Sequence, residues 1–170
     1  GLILIKLVSQ VRPDYRVMAN FLLQKVEPLR EHFIPVNPFE NKKIASSYGG
    51  VKSAIEHVKE GKALGLFPAG EVSTYHFEDR QVVDKNWEVG AMKMIRKLDV
   101  PVVPIYFKAR NSAFFYLLAL LHPTLRTARL PSELRHQKNK SIRIRIGRPI
   151  SRLEQAEYPD LDHYTQFLRQ

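Results

Sequence analysis

The sequence predicts an α/β fold, a largely parallel mixed sheet flanked by helices, and three observations support this. Short apolar runs bounded by Pro and Gly alternate with segments of helical spacing. One run, Ala63 to Phe67, has the continuous apolar character of a buried strand. It breaks at Pro68 and Gly70 into a turn carrying Glu71, Ser73 and Thr74, and open α/β sheets place their ligand sites at such carboxyl ends. At 170 residues the length suits one domain, 1–170, with a sizeable core.

Leu2 to Val11 reads as a mostly buried helix ended by Arg12-Pro13-Asp14. Tyr15 to Ala19 follows as a short strand. Asn20 is a candidate cap for a helix over Phe21 to His32, in which Leu22, Leu23, Val26 and Leu29 keep helical spacing and Pro28 interrupts the ladder. Phe33 to Val36 is a strand and Asn37 to Lys43 a polar loop. The next helix carries Val51, Ala54, Ile55 and Val58 on one face and stops at Gly61. After the Ala63–Phe67 strand, Trp87 to Leu98 forms a helix with Ala91, Met92, Ile95 and Leu98 inward. Pro101 to Phe107 is the next core strand. Ser141 to Ile146 alternates Ile with Arg, as a half-exposed edge strand does, and Leu161 to Leu168 closes as a helix.

Cysteine is absent, which excludes a disulfide framework, a thiolate metal site and a thiol nucleophile, and fits a reducing cytoplasm. No apolar run approaches the roughly 20 residues that span a bilayer; the longest is Ala113 to Leu121. There is no signal-peptide pattern. The sequence opens without Met inside an apolar run, Gly1-Leu2-Ile3-Leu4-Ile5, and reads as a piece of a longer protein, truncated at its amino terminus.

The formal charge of +10 is localised. Lys108 to Arg152 holds eleven Lys/Arg against one acid, Glu133, while the remainder balances at 16 basic and 16 acidic residues. A solubilising face would intersperse acids; this one favours a phosphate-rich or acidic partner. Phe114-Phe115-Tyr116-Leu117-Leu118, followed by Arg126 and Arg129, joins an aromatic helix to a basic flank. It suits either an interfacial membrane helix or a core helix. Phe114, Phe115, Arg126, Arg129 and Arg135 are the candidate docking residues for a membrane or a carrier.

Phe67-Pro68-Ala69-Gly70-Glu71-Val72-Ser73, with Val100-Pro101-Val102-Val103-Pro104-Ile105 about thirty residues on, resembles the phospholipid/glycerol (lysophospholipid) acyltransferase family. That family's third motif reads Phe-Pro-Glu-Gly-Thr-Arg-Ser and its fourth Val-Pro-Ile-Val-Pro. The variant here is similar to a hemolysin-like branch. Gly90-Ala91 and the basic Ile-Arg strand with Gly147-Arg148-Pro149-Ile150 sit where the family has counterparts.

The resemblance implies a glycerol-3-phosphate acyltransferase-like fold and a role in phospholipid metabolism, with O-acyl transfer from acyl-CoA or acyl carrier protein to a lysolipid or glycerol-type hydroxyl. It implies no metal or bound cofactor, and a cytoplasmic enzyme peripheral on the inner face of the membrane. The family's base is the His of His-x-x-x-x-Asp, which removes the hydroxyl proton while backbone donors steady the oxyanion. None of His32, His57, His76, His122, His136 and His163 has Asp five residues on. The resemblance therefore puts the pair upstream of Gly1 and implies that residues 1–170 alone are inactive.

Within the chain it points to Phe67, Pro68, Gly70, Glu71 and Ser73 as acceptor-binding. Glu71 is the leading candidate, against a turn acid that bonds neighbouring N–H groups. The family acid falls at Ala69 here and the family Arg at Val72, which points to an acceptor other than lysophosphatidic acid, such as a lyso-aminolipid. The second family motif falls near Phe33-Ile34-Pro35-Val36 without its Arg, leaving Lys42 and Lys43 as the nearest cations. His76, just after the turn, is either within reach of the site or a solvated loop His. The competing reading is a non-enzymatic basic module for anionic lipid or nucleic acid; the lack of interleaved aromatics counts against nucleic acid.

Overall fold

The computed structural model describes residues 2–20, 27–36, 46–76, 81–108, 111–112, 114–116 and 141–170. It is an α/β structure built around a parallel three-stranded sheet, as the sequence predicts. Two compact units divide the chain: Gly1–Gly70 with Met94–Leu98, and Glu71–Lys93 with Asp99–Gln170.

In the first unit, helix α1 (Leu2–Val8) leads to β1 (Arg16–Asn20), a 3₁₀ helix (Glu27–His32), β2 (Phe33–Val36), helix α2 (Ser46–Lys59) and β3 (Leu64–Gly65). The order is β2-β1-β3, with Val17 beside Phe33 and Arg16 beside Leu64. Met18, Ile34 and Ala54 form the buried core with Met94 of α3 (Val89–Leu98); Val36, Val51, Leu64, Leu66 and Leu98 pack around them. The amphipathic stripe read from α2 is thus the face that covers the sheet.

Several expectations change. α1 ends at Val8, because the Val11 and Arg12 amides both turn back to the Val8 carbonyl. Asn20 is the last residue of β1, opposite Val36. Glu27–His32 is a 3₁₀ helix, as Pro28 disfavours a continued α ladder. Residues 21–26 of the expected helix and the 37–43 loop lie outside the described residues. The Ala63–Phe67 strand narrows to Leu64–Gly65, since the chain turns away ahead of Pro68, which has no N–H to donate.

A side-chain clamp fixes where β3 begins. Asp14 accepts from Arg12 Nε at 2.9 Å and Nη2 at 2.7 Å, and from the Ala63 amide at 2.8 Å. The same guanidinium donates to the Gly61 carbonyl at 2.9 Å, where the left-handed φ of 77° lets Gly61 end α2. Arg12 foremost, then the Ala63 amide, holds the Asp14 carboxyl well below its usual value.

The second unit holds antiparallel pairs. β4 (Thr74–His76) pairs with β5 (Gln81–Val83), neither read from the sequence. β6 (Ile105–Lys108) pairs with β7 (Arg143–Ile146). The expected core strand Pro101–Phe107 is shortened because Pro101 and Pro104 cannot donate, and it joins an antiparallel ribbon in place of the parallel sheet. Val102 makes an isolated bridge to Ile150. Helix α4 (Arg152–Ala156), also unread, opens on a capping box: the Glu154 amide donates to Ser151 Oγ at 3.2 Å and the Ser151 amide to Glu154 Oε2 at 2.8 Å. α5 (Leu161–Arg169) starts at the Asp160 cap. Gln155 donates to the Val100 and Ile150 carbonyls and accepts from the buried Tyr164 hydroxyl at 2.7 Å. α3 begins at Val89, with Met92 and Met94 as its buried residues; Ala91, Ile95 and Leu98 are half-buried.

Asp14 has a depressed native pKa, so its contribution is complete above the unfolded value of 3.8 and is lost as pH falls below it. Asp14→Asn therefore lowers the melting temperature at neutral pH, and the gap to the parent chain closes as pH drops below about 4 in a thermal-unfolding series.

Candidate functional site

Because the sheet is parallel, β2 and β3 deliver the chain to the same edge, at Val36 and Gly65. Beyond β3, the Gly70 amide donates to the Phe67 carbonyl at 3.0 Å and closes a four-residue turn; its φ of 69° favours glycine there. Phe67 and Gly70 are exposed, Pro68 is half-buried and Ala69 is buried. Gly65 is required for a different reason: a Cβ there would overlap the Tyr15 hydroxyl, on a ring that is itself buried. Burial also pushes that phenol well above its ordinary pKa.

Glu71 and Ser73 open the second unit, and the β4–β5 ladder explains their partners. Thr74 lies opposite Val83, so continuing that register brings Ser73 beside Asp84, and the Ser73 hydroxyl donates to the Asp84 carboxylate. Lys85 follows, with its ammonium 3.0 Å from Glu71 Oε1 and 3.4 Å from Glu88 Oε1. Glu71, then Glu88, raises the Lys85 pKa and keeps it cationic. Glu71 is therefore an exposed acid held by a lysine fourteen positions on.

Sequence reading missed Lys85 and Asp84. Their signal was the hairpin register, visible in the short alternating segments Thr74-Tyr75-His76 and Gln81-Val82-Val83. His76 sits in β4 opposite Gln81.

The docking candidates separate. Phe115 is fully buried, at 0% exposure, which corrects its assignment to an outer face and makes it a packing residue; its ring meets Tyr116 edge-on at 5.7 Å. Phe114 is exposed. Arg126, Arg129 and Arg135, like Lys42 and Lys43, lie outside the described residues. Among the described residues no helix is long and apolar enough to cross a membrane, and no cluster of three metal-ligating side chains occurs.

A parallel three-stranded sheet with helices, whose strand β3 runs on into a Pro/Gly turn, defines the α/β class. A family model described as Acyltransferase matches residues 1–170, and the chain belongs to that acyltransferase family. No curated protein and no solved structure matches it.

Gly65→Ala is expected to destabilise the chain by about 1–3 kcal/mol through overpacking against Tyr15. Tyr15→Phe in the same chain recovers part of that loss in urea unfolding, because it deletes the hydroxyl that the methyl meets. In the hairpin, Lys85→Ala speeds amide hydrogen exchange in β4 and β5 while leaving β1 and β2 unchanged, which exchange mass spectrometry can read.

Proposed function

We propose that the protein transfers an acyl chain from a thioester donor, acyl-CoA or acyl carrier protein, to the hydroxyl of a lysolipid or glycerol-type acceptor. The family match over residues 1–170 is the observation that carries this reading. A base removes the acceptor's hydroxyl proton, the oxygen bonds to the thioester carbonyl carbon, and the C–S bond breaks with departure of the thiol. None of the six histidines of this sequence begins His-x-x-x-x-Asp. The reading supplies it from outside residues 1–170, so these residues alone are expected to show no turnover.

In this reading the Phe67–Ser73 stretch presents the acceptor-binding groups. Glu71 holds an acceptor hydroxyl or amine, with Lys85 fixing the carboxylate, and Ser73 steadies the segment through Asp84. An acid at Glu71 and no cation at Val72 favour an acceptor that is not a phosphate monoester, such as a lyso-aminolipid. Lys42 and Lys43 are proposed as contacts to the donor's phosphate or carrier. The Lys108–Arg152 segment, with Phe114, Arg126, Arg129 and Arg135, is proposed to face an anionic inner membrane surface.

The test is acyl transfer to lysolipid by a chain that includes the His/Asp pair. Glu71→Gln lowers kcat/KM about tenfold or more, the scale of a lost charge-assisted hydrogen bond, with the melting temperature unchanged. A folded Glu71→Gln enzyme with parental kinetics returns Glu71 to a turn-stabilising role.

A further inference from the structure

Opposed residues of an antiparallel ladder share a face, and the β6–β7 register sorts this ribbon into two. Ile105 with Ile146 and Phe107 with Ile144 make one face; Tyr106 with Arg145 and Lys108 with Arg143 make the other. All four residues of the second face are exposed, Tyr106 at 60%. Lys108 directly opposes Arg143, a like-charge pair that weakens the ladder where it stands. Among the described residues no carboxylate forms an ion pair with Lys108, Arg143 or Arg145, although Arg148 pairs with Glu154 and Arg152 with Asp99, both at 2.5 Å. Among the described residues the ribbon thus groups three cations without an ion-pair partner around one tyrosine, at a cost to its own pairing.

We propose that this face, Tyr106, Lys108, Arg143 and Arg145, docks the protein on an anionic lipid surface. An open, exposed strand face suits an extended anionic partner better than a small ligand, which needs a concave site. Three cations grouped around an exposed aromatic ring favour an anionic bilayer, which accepts cationic and amphipathic groups together. Tyr106 supplies the amphipathic ring that settles at headgroup level, and the arginine and lysine stems lie along apolar surface with their charges outward. This face rests on the membrane-facing role proposed above for the Lys108–Arg152 segment; binding is measured without turnover, so its failure leaves the acyl-transfer reading standing.

The test is co-sedimentation of the chain with phosphatidylcholine vesicles with and without phosphatidylglycerol. Binding should require phosphatidylglycerol and fall steeply with salt. Each cation removed weakens partitioning about fivefold, and Lys108→Gln with Arg143→Gln and Arg145→Gln together by on the order of 100-fold. Tyr106→Ala weakens the binding that survives high salt. Because all four side chains point outward, circular dichroism of the variants should match the parent; Arg145→Gln alone serves if the triple variant does not fold. Equal binding to both vesicles, no binding, a triple variant that binds like the parent, or preferential binding to single-stranded DNA or to an acidic carrier protein overturns the proposal.

Discussion

The approach to the Phe67–Gly70 turn depends on how the peptide of Ala63 is held. Its amide donates to Asp14, and its carbonyl accepts from the Arg16 amide at 3.0 Å and lies 3.1 Å from Nε2 of the buried His57. With the ring proton on Nε2, His57 donates the third bond. Strand, helix and the loop after α1 therefore converge on one peptide, and β3 has only two residues in which to reach the turn. A strand that short has little ladder of its own, so its placement is borrowed from these side chains. The position of Phe67 to Gly70 follows from it.

What was legible follows from how local each signal is. The α2 stripe of Val51, Ala54 and Val58 with a Gly61 stop needs only helical spacing and a left-handed residue, both visible in the chain. Phe33–Val36 and Arg143–Ile146 are bounded by their own composition and come out as strands. Partner choice was not legible. Pro101 to Phe107 is apolar enough for a buried parallel strand, yet its two prolines and the Ile-Arg alternation of its partner commit it to an antiparallel ribbon. The Ser151-x-x-Glu154 box was readable and went unread.

The candidate site shows the same division. The Phe67–Ser73 motif is a local pattern and needs no partner to be seen. What holds Glu71 is non-local: Lys85 reaches it only because Thr74 pairs with Val83 and the chain folds back. Acidity at position 71 is thus only half of the chemical description, since the carboxylate comes with a fixed ammonium and acts as one member of a zwitterionic pair. His57 illustrates the reverse: a histidine that composition alone leaves available is spent on the interior, as a donor to the backbone.

The span bridged by the Asp14 clamp governs the order in which the chain assembles. Arg12 and Asp14 bind Gly61 and Ala63 across 49 residues, and the β1–β3 pairing spans a similar distance. Loop-closure entropy opposes such contacts until α2 and β2 have shortened the effective chain between them. Helices and the β4–β5 and α4–α5 segments, whose contacts are local, can form in the collapsed chain first, while the parallel edge strand waits. The strand that leads into the candidate site is therefore among the last parts to acquire its native neighbours.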